Sequence, residues 1–101
     1  MPADSPLVDA GRVAEAIPRL VAEVLVVPLD RVRPDTRLIA DLGAESIDFL
    51  DLVFRIEETL GKRIPMSQWH RFLEARFGNT DLADRITTGV VRDFALSEMS
   101  L

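Results

Sequence analysis

The sequence contains no cysteine and no tyrosine, and only one histidine and one tryptophan. Without cysteine the chain can form no disulfide, no thiolate nucleophile and no cysteine-ligated metal site. Charged residues interrupt the apolar segments every few positions, so no stretch predicts a membrane span. Residues 1–6 have neither a basic start nor an apolar run, and we therefore expect no secretory signal and a cytoplasmic location.

The length and composition fit one small domain. The chain has 101 residues, of which 48% are hydrophobic, which is enough for one core. We expect residues 1–101 to form a single domain, with residues 1–8 frayed. A monomer is expected, because the apolar surface that the pattern leaves exposed is small and edged with charge.

Negative charge is concentrated in one part of the sequence. The net charge is −5, and residues 41–58 hold six of the seventeen acidic residues but only one of the twelve basic residues. Acids and bases balance in the rest of the chain. An acidic segment repels nucleic acid and anionic membranes and attracts basic protein surfaces. It indicates either a docking surface for a basic partner or an ordinary solvated helix face, and charge alone leaves both open.

Apolar periodicity predicts helices and no strand. A first helix is expected from about Val13 to Leu25, with Pro18 either kinking it or delaying its start. Segment 27–45 is expected to be a long ordered loop. Three apolar residues are predicted to hold this loop on the core: Val32, Leu38 and Leu42.

Three further helices are predicted after this loop. The second follows Ser46 and ends at Gly61, a residue that suits a C-terminal cap. A third is expected over 66–77 with Trp69 on its buried stripe, and a short last helix follows a threonine N-cap at 87–88. The expected fold is all-α: a small bundle with a long ordered loop between the first two helices and an extra helix before the last short one.

When successive residues of the second helix are placed about 100° apart around its axis, one face is apolar and the opposite face is charged. Ile47 and Phe54 fall at the margin of the charged face. Bordered by carboxylates, this pair favours a protein-docking surface over coverage by another segment. Leu50 and Leu52 are expected to flank the core face. The core face itself is predicted to consist of Phe49, Val53, Ile56 and Leu60.

Ser46 is the main candidate for chemistry. A serine that precedes an amphipathic helix is usually an N-cap. The same position also suits a phosphodiester, because free amide hydrogens and the positive end of the helix dipole stabilise an attached phosphate. The residues by themselves leave both roles open.

No catalytic or metal-binding arrangement is predicted. His70 lies on a different predicted helix from Ser46 and is expected to be a surface residue, so no base is placed to activate the serine. The acidic residues of segment 41–51 lack the ligand spacing and the central glycine of an EF-hand loop. We therefore expect no metal and no enzymatic activity.

The segment Asp41-Leu42-Gly43-Ala44-Glu45-Ser46-Ile47-Asp48 resembles the Asp-Leu-Gly-x-Asp-Ser-Leu-Asp signature of acyl carrier proteins. It departs from that signature only at Glu45 and Ile47, both conservatively. The resemblance extends over about residues 13–96. The agreeing flanks include Val32-Arg33-Pro34-Asp35-Thr36, Glu57-Glu58, Gly61, Ile64-Pro65 and Ile86-Thr87-Thr88.

The resemblance implies a covalent cofactor and a set of partners. Ser46 would receive 4′-phosphopantetheine from coenzyme A through a phosphopantetheinyl transferase, and the thiol of this arm would hold an acyl group as a thioester. Fatty-acid synthesis enzymes and acyltransferases with basic docking surfaces would be the partners. The partner-binding residues implied by the resemblance are Ile47, Asp48, Asp51, Phe54, Glu57 and Glu58. An acyl chain inside the bundle would be lined by Phe49, Val53, Leu60 and Trp69.

The segment after residue 63 resembles one specialised group of acyl carrier proteins. Residues 64–69, Ile-Pro-Met-Ser-Gln-Trp, and the helix-length insertion look like the specialised bacterial carriers of very-long-chain hydroxy fatty acids for lipid A. An acyl carrier for lipid A or a related lipid is therefore expected. Two alternatives stay open. One is a general fatty-acid, polyketide or aminoacyl carrier, and the other is an unmodified helical protein-interaction module in which Ser46 is only a cap.

Overall fold

The protein is a bundle of four helices, and the computed structural model describes residues 9–99. Within this range there is no β-strand, and short 3₁₀ turns at Leu29–Arg31 and Leu82–Asp84 lie in two connections. The predicted all-α fold is confirmed, including the third helix at 66–77. The predicted fraying of residues 1–8 falls outside the described residues. The helices are α1 (Ala10–Leu25), α2 (Ser46–Leu60), α3 (Met66–Phe77) and α4 (Thr88–Met99).

Helix α1 begins earlier than its proline suggests. It starts at Ala10, where the Asp9 carboxylate accepts the N–H of Arg12 at 2.9 Å, and it continues through Pro18. The expectation that Pro18 delays the helix is therefore wrong. Tertiary packing of an apolar face outweighs the loss of one backbone hydrogen bond. The buried residues of this face are Val13, Ile17, Val21 and Ala22.

The core lies where α1 packs against α2 and α4, with α3 packed against α2. The predicted core face of α2 is confirmed, but Leu50 does not flank it. Leu50 is 50% exposed, because it lies between Ile47 and Phe54 on the stripe that faces away from the core. The buried residues of α2 are Phe49, Leu52, Val53, Ile56 and Leu60. Among residues 9–99, no helix is both long and apolar enough to cross a membrane.

The long connection between α1 and α2 is ordered by backbone pairing with the segment that precedes α4. The Leu38 N–H donates to the Ile86 carbonyl at 2.9 Å, and the Thr88 N–H donates to the Thr36 carbonyl at 3.0 Å. The predicted anchoring of this loop is confirmed. Val32 and Leu38 are buried, and Leu42 is partly buried against the core.

A charged clasp, consisting of Arg37, Asp41 and Asp84, adds to this pairing. The Arg37 guanidinium lies 2.8 Å from Asp41 Oδ1 and 3.0 Å from Asp84 Oδ1. The hydrogen bond between the Arg37 and Asp41 side chains is the main reason that the pKa of Arg37 is raised and that of Asp41 is lowered. All three side chains are exposed, so the ion pairs contribute little stability. The turn at Gly43 (φ +74°), which leads the chain to Ser46, is closed by the hydrogen bond from the Gly43 N–H to the Ile39 carbonyl at 3.0 Å.

Candidate functional site

Ser46 is the first residue of α2, and its side chain is exposed. The N-cap is the preceding residue, Glu45, which has extended backbone (φ −117°, ψ 172°). The Glu45 N–H donates to Asp48 Oδ2 at 2.8 Å, and the Asp48 N–H donates to the Glu45 carbonyl at 2.9 Å. The interpretation of Ser46 as the N-cap is therefore wrong. An acid three residues into the helix reaches back to the cap amide, as in a capping box.

The Ser46 hydroxyl is available for modification. Within residues 9–99 its Oγ makes no hydrogen bond, and the N–H groups of Ser46 and Ile47 have no protein acceptor. Free N–H groups in a first helical turn, together with the helix dipole, stabilise a bound phosphate. The residues at this position therefore fit a phosphodiester on Ser46 Oγ.

A groove of about 240 Å³ opens beside Ser46, between α2 and α3. Apolar side chains from both helices and from the flanking segments form most of its wall. They include Ala44, Phe49, Met66, Trp69, Leu73 and Ile86. A hydroxyl at the mouth of an apolar groove allows a group attached there to lie against the protein surface.

His70 lies on α3, a different helix from Ser46 as predicted, and it borders the same groove. It is exposed, as predicted. Within the described residues, no hydrogen bond joins the two side chains. In the described part of the chain, no three His, Asp or Glu side chains are grouped to hold a metal ion.

The residues that the resemblance assigned to an internal acyl site border a closed space. Phe49, Val53 and Trp69 line it, whereas Leu60 does not. The space has no room for a water-sized sphere. Trp69 fills it by stacking on Phe49, with ring centroids 5.8 Å apart, and by meeting Phe94 edge-on at 5.1 Å. In this structure the interior therefore has no cavity that could hold a water molecule.

An apolar stripe, consisting of Ile47, Leu50 and Phe54, lies on the exposed side of α2. Ile47 is 67% exposed and Phe54 is 66% exposed, so the predicted exposure of this pair is confirmed. Asp48 and Asp51 border the stripe, and a shallow recess of about 460 Å³ lies over these five residues. Exposed apolar side chains edged by acids are typical of a protein-docking surface.

Several acids of the predicted partner face are engaged within the protein. Asp51 Oδ1 lies 3.1 Å from Arg55 Nε, and Arg55 also lies 3.0 Å from Glu23. Glu57 Oε2 accepts the N–H of Ile64 at 2.6 Å and so holds the α2–α3 connection. The sequence pattern could not reveal the Glu57 contact, because it depends on the path of the chain after α2.

We expect Glu57→Ala to lower the free energy of unfolding by about 2 kcal/mol, because it leaves the buried N–H of Ile64 without a partner. Urea denaturation measures this change. The adjacent Glu58→Ala is the control, since Glu58 is exposed, and it should change the free energy by less than about 0.5 kcal/mol. Equal effects of the two substitutions would show that Glu57 acts only as surface charge.

Comparison with known proteins identifies the family of this chain. Residues 15–70 match the family described as the phosphopantetheine attachment site. The match covers more than half of the chain, and the protein belongs to this family, whose cofactor is covalent 4′-phosphopantetheine. The resemblance to acyl carrier proteins is thus confirmed.

Curated relatives carry the name acyl carrier protein. The chain is 30% identical to the acyl carrier protein AcpXL of Mesorhizobium japonicum over 67 residues, which cover 66% of this chain and 72% of that protein. It is 42% identical to the AcpXL of Brucella melitensis over 50 residues, 50% of this chain and 54% of that protein. It is 38% identical to an acyl carrier protein of Campylobacter hominis over 64 residues, 63% of this chain and 81% of that protein.

Proposed function

We propose that this protein is a non-catalytic acyl carrier in which Ser46 Oγ bears 4′-phosphopantetheine. The arm supplies a thiol, which a cysteine-free chain lacks, and that thiol holds an acyl group as a thioester. The observation that supports this proposal is the exposed, unbonded hydroxyl of Ser46 in the free first turn of α2, at the mouth of an apolar groove.

The chain's part in the attachment is to present an oxygen and to stabilise a phosphate. The Ser46 oxygen forms the new bond to phosphorus, and the nucleotide portion of coenzyme A leaves. No side chain of the described residues is hydrogen-bonded to Ser46, and we propose that the transferase takes the serine proton. The free N–H groups of the first turn then face the phosphodiester that results.

The cargo we propose is a very-long-chain fatty acid for lipid A or a related envelope lipid. The similarity to proteins named AcpXL supports this choice over a general fatty-acid, polyketide or aminoacyl carrier. Helix α3 also supports a very-long-chain cargo, because Met66, Trp69 and Leu73 add apolar surface to the groove beside Ser46. A long acyl chain gains more from such a wall than a short one, since its stabilisation grows with buried apolar area.

The partners we propose are the phosphopantetheinyl transferase and the fatty-acid synthesis and acyltransferase enzymes, which dock on α2. The apolar stripe would form the centre of the contact, and the exposed Glu58 with Asp51 would attract basic surfaces at its rim. Asp48 and Glu57 stand on the same helix, but their carboxylates are held by internal hydrogen bonds. We further propose that residues 1–101 act as one carrier domain, as a monomer in the cytoplasm.

Intact-protein mass tests the carrier function. The protein is incubated with coenzyme A and a phosphopantetheinyl transferase of broad specificity, and we expect a gain of one phosphopantetheine. An unmodified but folded protein would contradict the proposal and favour a helical interaction module instead.

The cargo is tested in the organism that makes this protein. Deleting its gene should remove the very long acyl chain from lipid A, as measured by mass spectrometry of the extracted lipid. Unchanged lipid A, together with a modified Ser46, would contradict the proposed cargo but not the carrier function.

A further inference from the structure

We propose that Arg55 limits the attraction between α2 and basic partners by occupying two carboxylates, Glu23 and Asp51, that such partners would otherwise bind. This inference rests on the proposed function and concerns which partner surfaces the docking face accepts. Three observations carry it: the ion pairs of Arg55, the position of Asp51 beside the apolar stripe, and the contacts of the other acids of α2.

Arg55 joins two helices. Its Nε lies 3.1 Å from Asp51 Oδ1, one turn earlier on α2, and its Nη1 lies 3.0 Å from Glu23 Oε1 on α1. Arg55 is the one basic residue of α2. A guanidinium presents its N–H groups in a fixed planar fork, so a single arginine can hold two carboxylates at once.

Asp51 is the carboxylate through which Arg55 acts on the docking face. It borders the shallow recess over the apolar stripe together with Ile47, Leu50 and Phe54. A partner whose apolar side chains lie on the stripe would bring its basic residues to Asp51, and those bases would meet the Arg55 cation at the same place. Such a base must displace Arg55 or lie beside a like charge, and either outcome weakens the contact.

The other acids of α2 keep their charge. Asp48 and Glu57 accept hydrogen bonds from neutral backbone N–H groups, which leave the negative charge of each carboxylate uncompensated. Glu58 has neither a hydrogen bond nor an ion pair within residues 9–99. Asp51 is therefore the only acid of α2 that is paired with a base among the described residues, and Arg55 removes attraction selectively beside the apolar stripe.

The ion pairs of Arg55 can be exchanged for contacts with a partner. All three side chains are at least one third exposed, and exposed ion pairs contribute little stability. A partner that presents a carboxylate to Arg55 would release Glu23 and Asp51 for its own basic residues. A partner that carries only bases offers no such replacement. The docking face therefore favours partner surfaces of mixed charge over uniformly basic ones.

The inference is tested by the kinetics of modification. The probe is a phosphopantetheinyl transferase whose docking surface is basic, and the rate of transfer from coenzyme A is measured as the concentration of this protein is varied. We expect Arg55→Gln to lower KM about fivefold with kcat unchanged, because it removes one like charge and frees Asp51. An unchanged or higher KM would overturn the inference, since losing a residue that binds the partner directly would weaken docking.

Arg12→Gln is the matched control. It changes the net charge by the same amount, and Arg12 also forms an exposed ion pair, with Asp9 at 3.5 Å. Arg12 lies on α1 eleven residues before Glu23, about 16 Å along the helix, which exceeds the electrostatic screening length of about 8 Å at physiological ionic strength. Its KM should equal that of the wild type. An equal fall in KM in both variants would contradict the inference, because only the total charge would then matter.

A double substitution tests whether Arg55 acts through Asp51. Asp51→Asn should raise KM more in the Arg55→Gln protein than in the wild type, because only there is the carboxylate free to bind the transferase. Equal effects in the two backgrounds would mean that Arg55 acts as an independent charge, and the proposed occupation of Asp51 would be wrong.

These tests separate the inference from the function on which it rests. If the wild-type protein takes up no phosphopantetheine, the proposed function fails and the inference fails with it. If Ser46 is modified but Arg55→Gln does not lower KM, the carrier function stands and only the role of Arg55 is wrong.

Discussion

The Ser46→Ala variant is expected to remain folded and to take up no phosphopantetheine. Alanine has no oxygen to bond to phosphorus, so the loss of modification should be complete in an intact-mass measurement. Stability should change by less than about 0.5 kcal/mol, because α2 is capped by Glu45 and Asp48 and not by the serine. A serine that capped the helix would instead cost about 1 kcal/mol on replacement.

Ser67→Ala is the control for this prediction. Ser67 is also an exposed serine in a first helical turn, that of α3, but it lies outside the signature. The Ser67→Ala variant should therefore be modified as fully as the wild type. Modification of Ser46→Ala would mean that the arm is attached at another residue and would contradict the proposed site.

The Phe94→Ala variant is expected to lose about 3–5 kcal/mol of the free energy of unfolding. Phe94 is fully buried, and its ring meets Trp69 and Phe72 at centroid distances of 5.1 Å and 5.3 Å. Truncation removes that apolar area from the core and leaves a cavity between α3 and α4. Since domains of this kind are stable by about 5–15 kcal/mol, urea denaturation should show a large shift of the midpoint.

Phe54→Ala makes the same chemical change at a position that is 66% exposed. Because Phe54 belongs to the apolar stripe and not to the core, this variant should alter the free energy of unfolding by less than about 0.5 kcal/mol. Similar losses for the two variants would show that the stripe supports the fold of the isolated protein and is not a free docking surface.

The order of the helices could be predicted from the sequence because it depends on local signals. The apolar period gives 66–77 as a helix, Gly61 ends α2 in a left-handed conformation (φ +69°), and the Thr87 hydroxyl accepts the N–H of Val90 at the start of α4. The signature around Ser46 likewise depends on neighbouring residues. Each of these features is decided within about one helical turn.

The relations between helices could not be predicted in the same way. The helical period predicts Leu50 beside the core, because it gives the position of each side chain around the helix axis. It does not show how much of the helix surface a neighbouring helix covers. The sequence correctly places His70 and Ser46 on different helices. Nothing in the pattern shows that α3 brings His70 to the groove beside Ser46. The sequence does not show that the Glu57 carboxylate accepts a backbone N–H seven residues later. These features depend on tertiary contacts.

The charged clasp has a consequence for when the cofactor can be added. Arg37 meets Asp84, which lies 47 residues later in the chain, and the neighbouring backbone pairs with the segment just before α4. Pairings between distant segments form late in folding, after the helices on either side. During translation the backbone pairing that orders the segment before Ser46 cannot form until residues 84–89 have emerged from the ribosome. We therefore expect a chain that ends before residue 84 to be a poorer substrate for modification than one that includes residues 84–89.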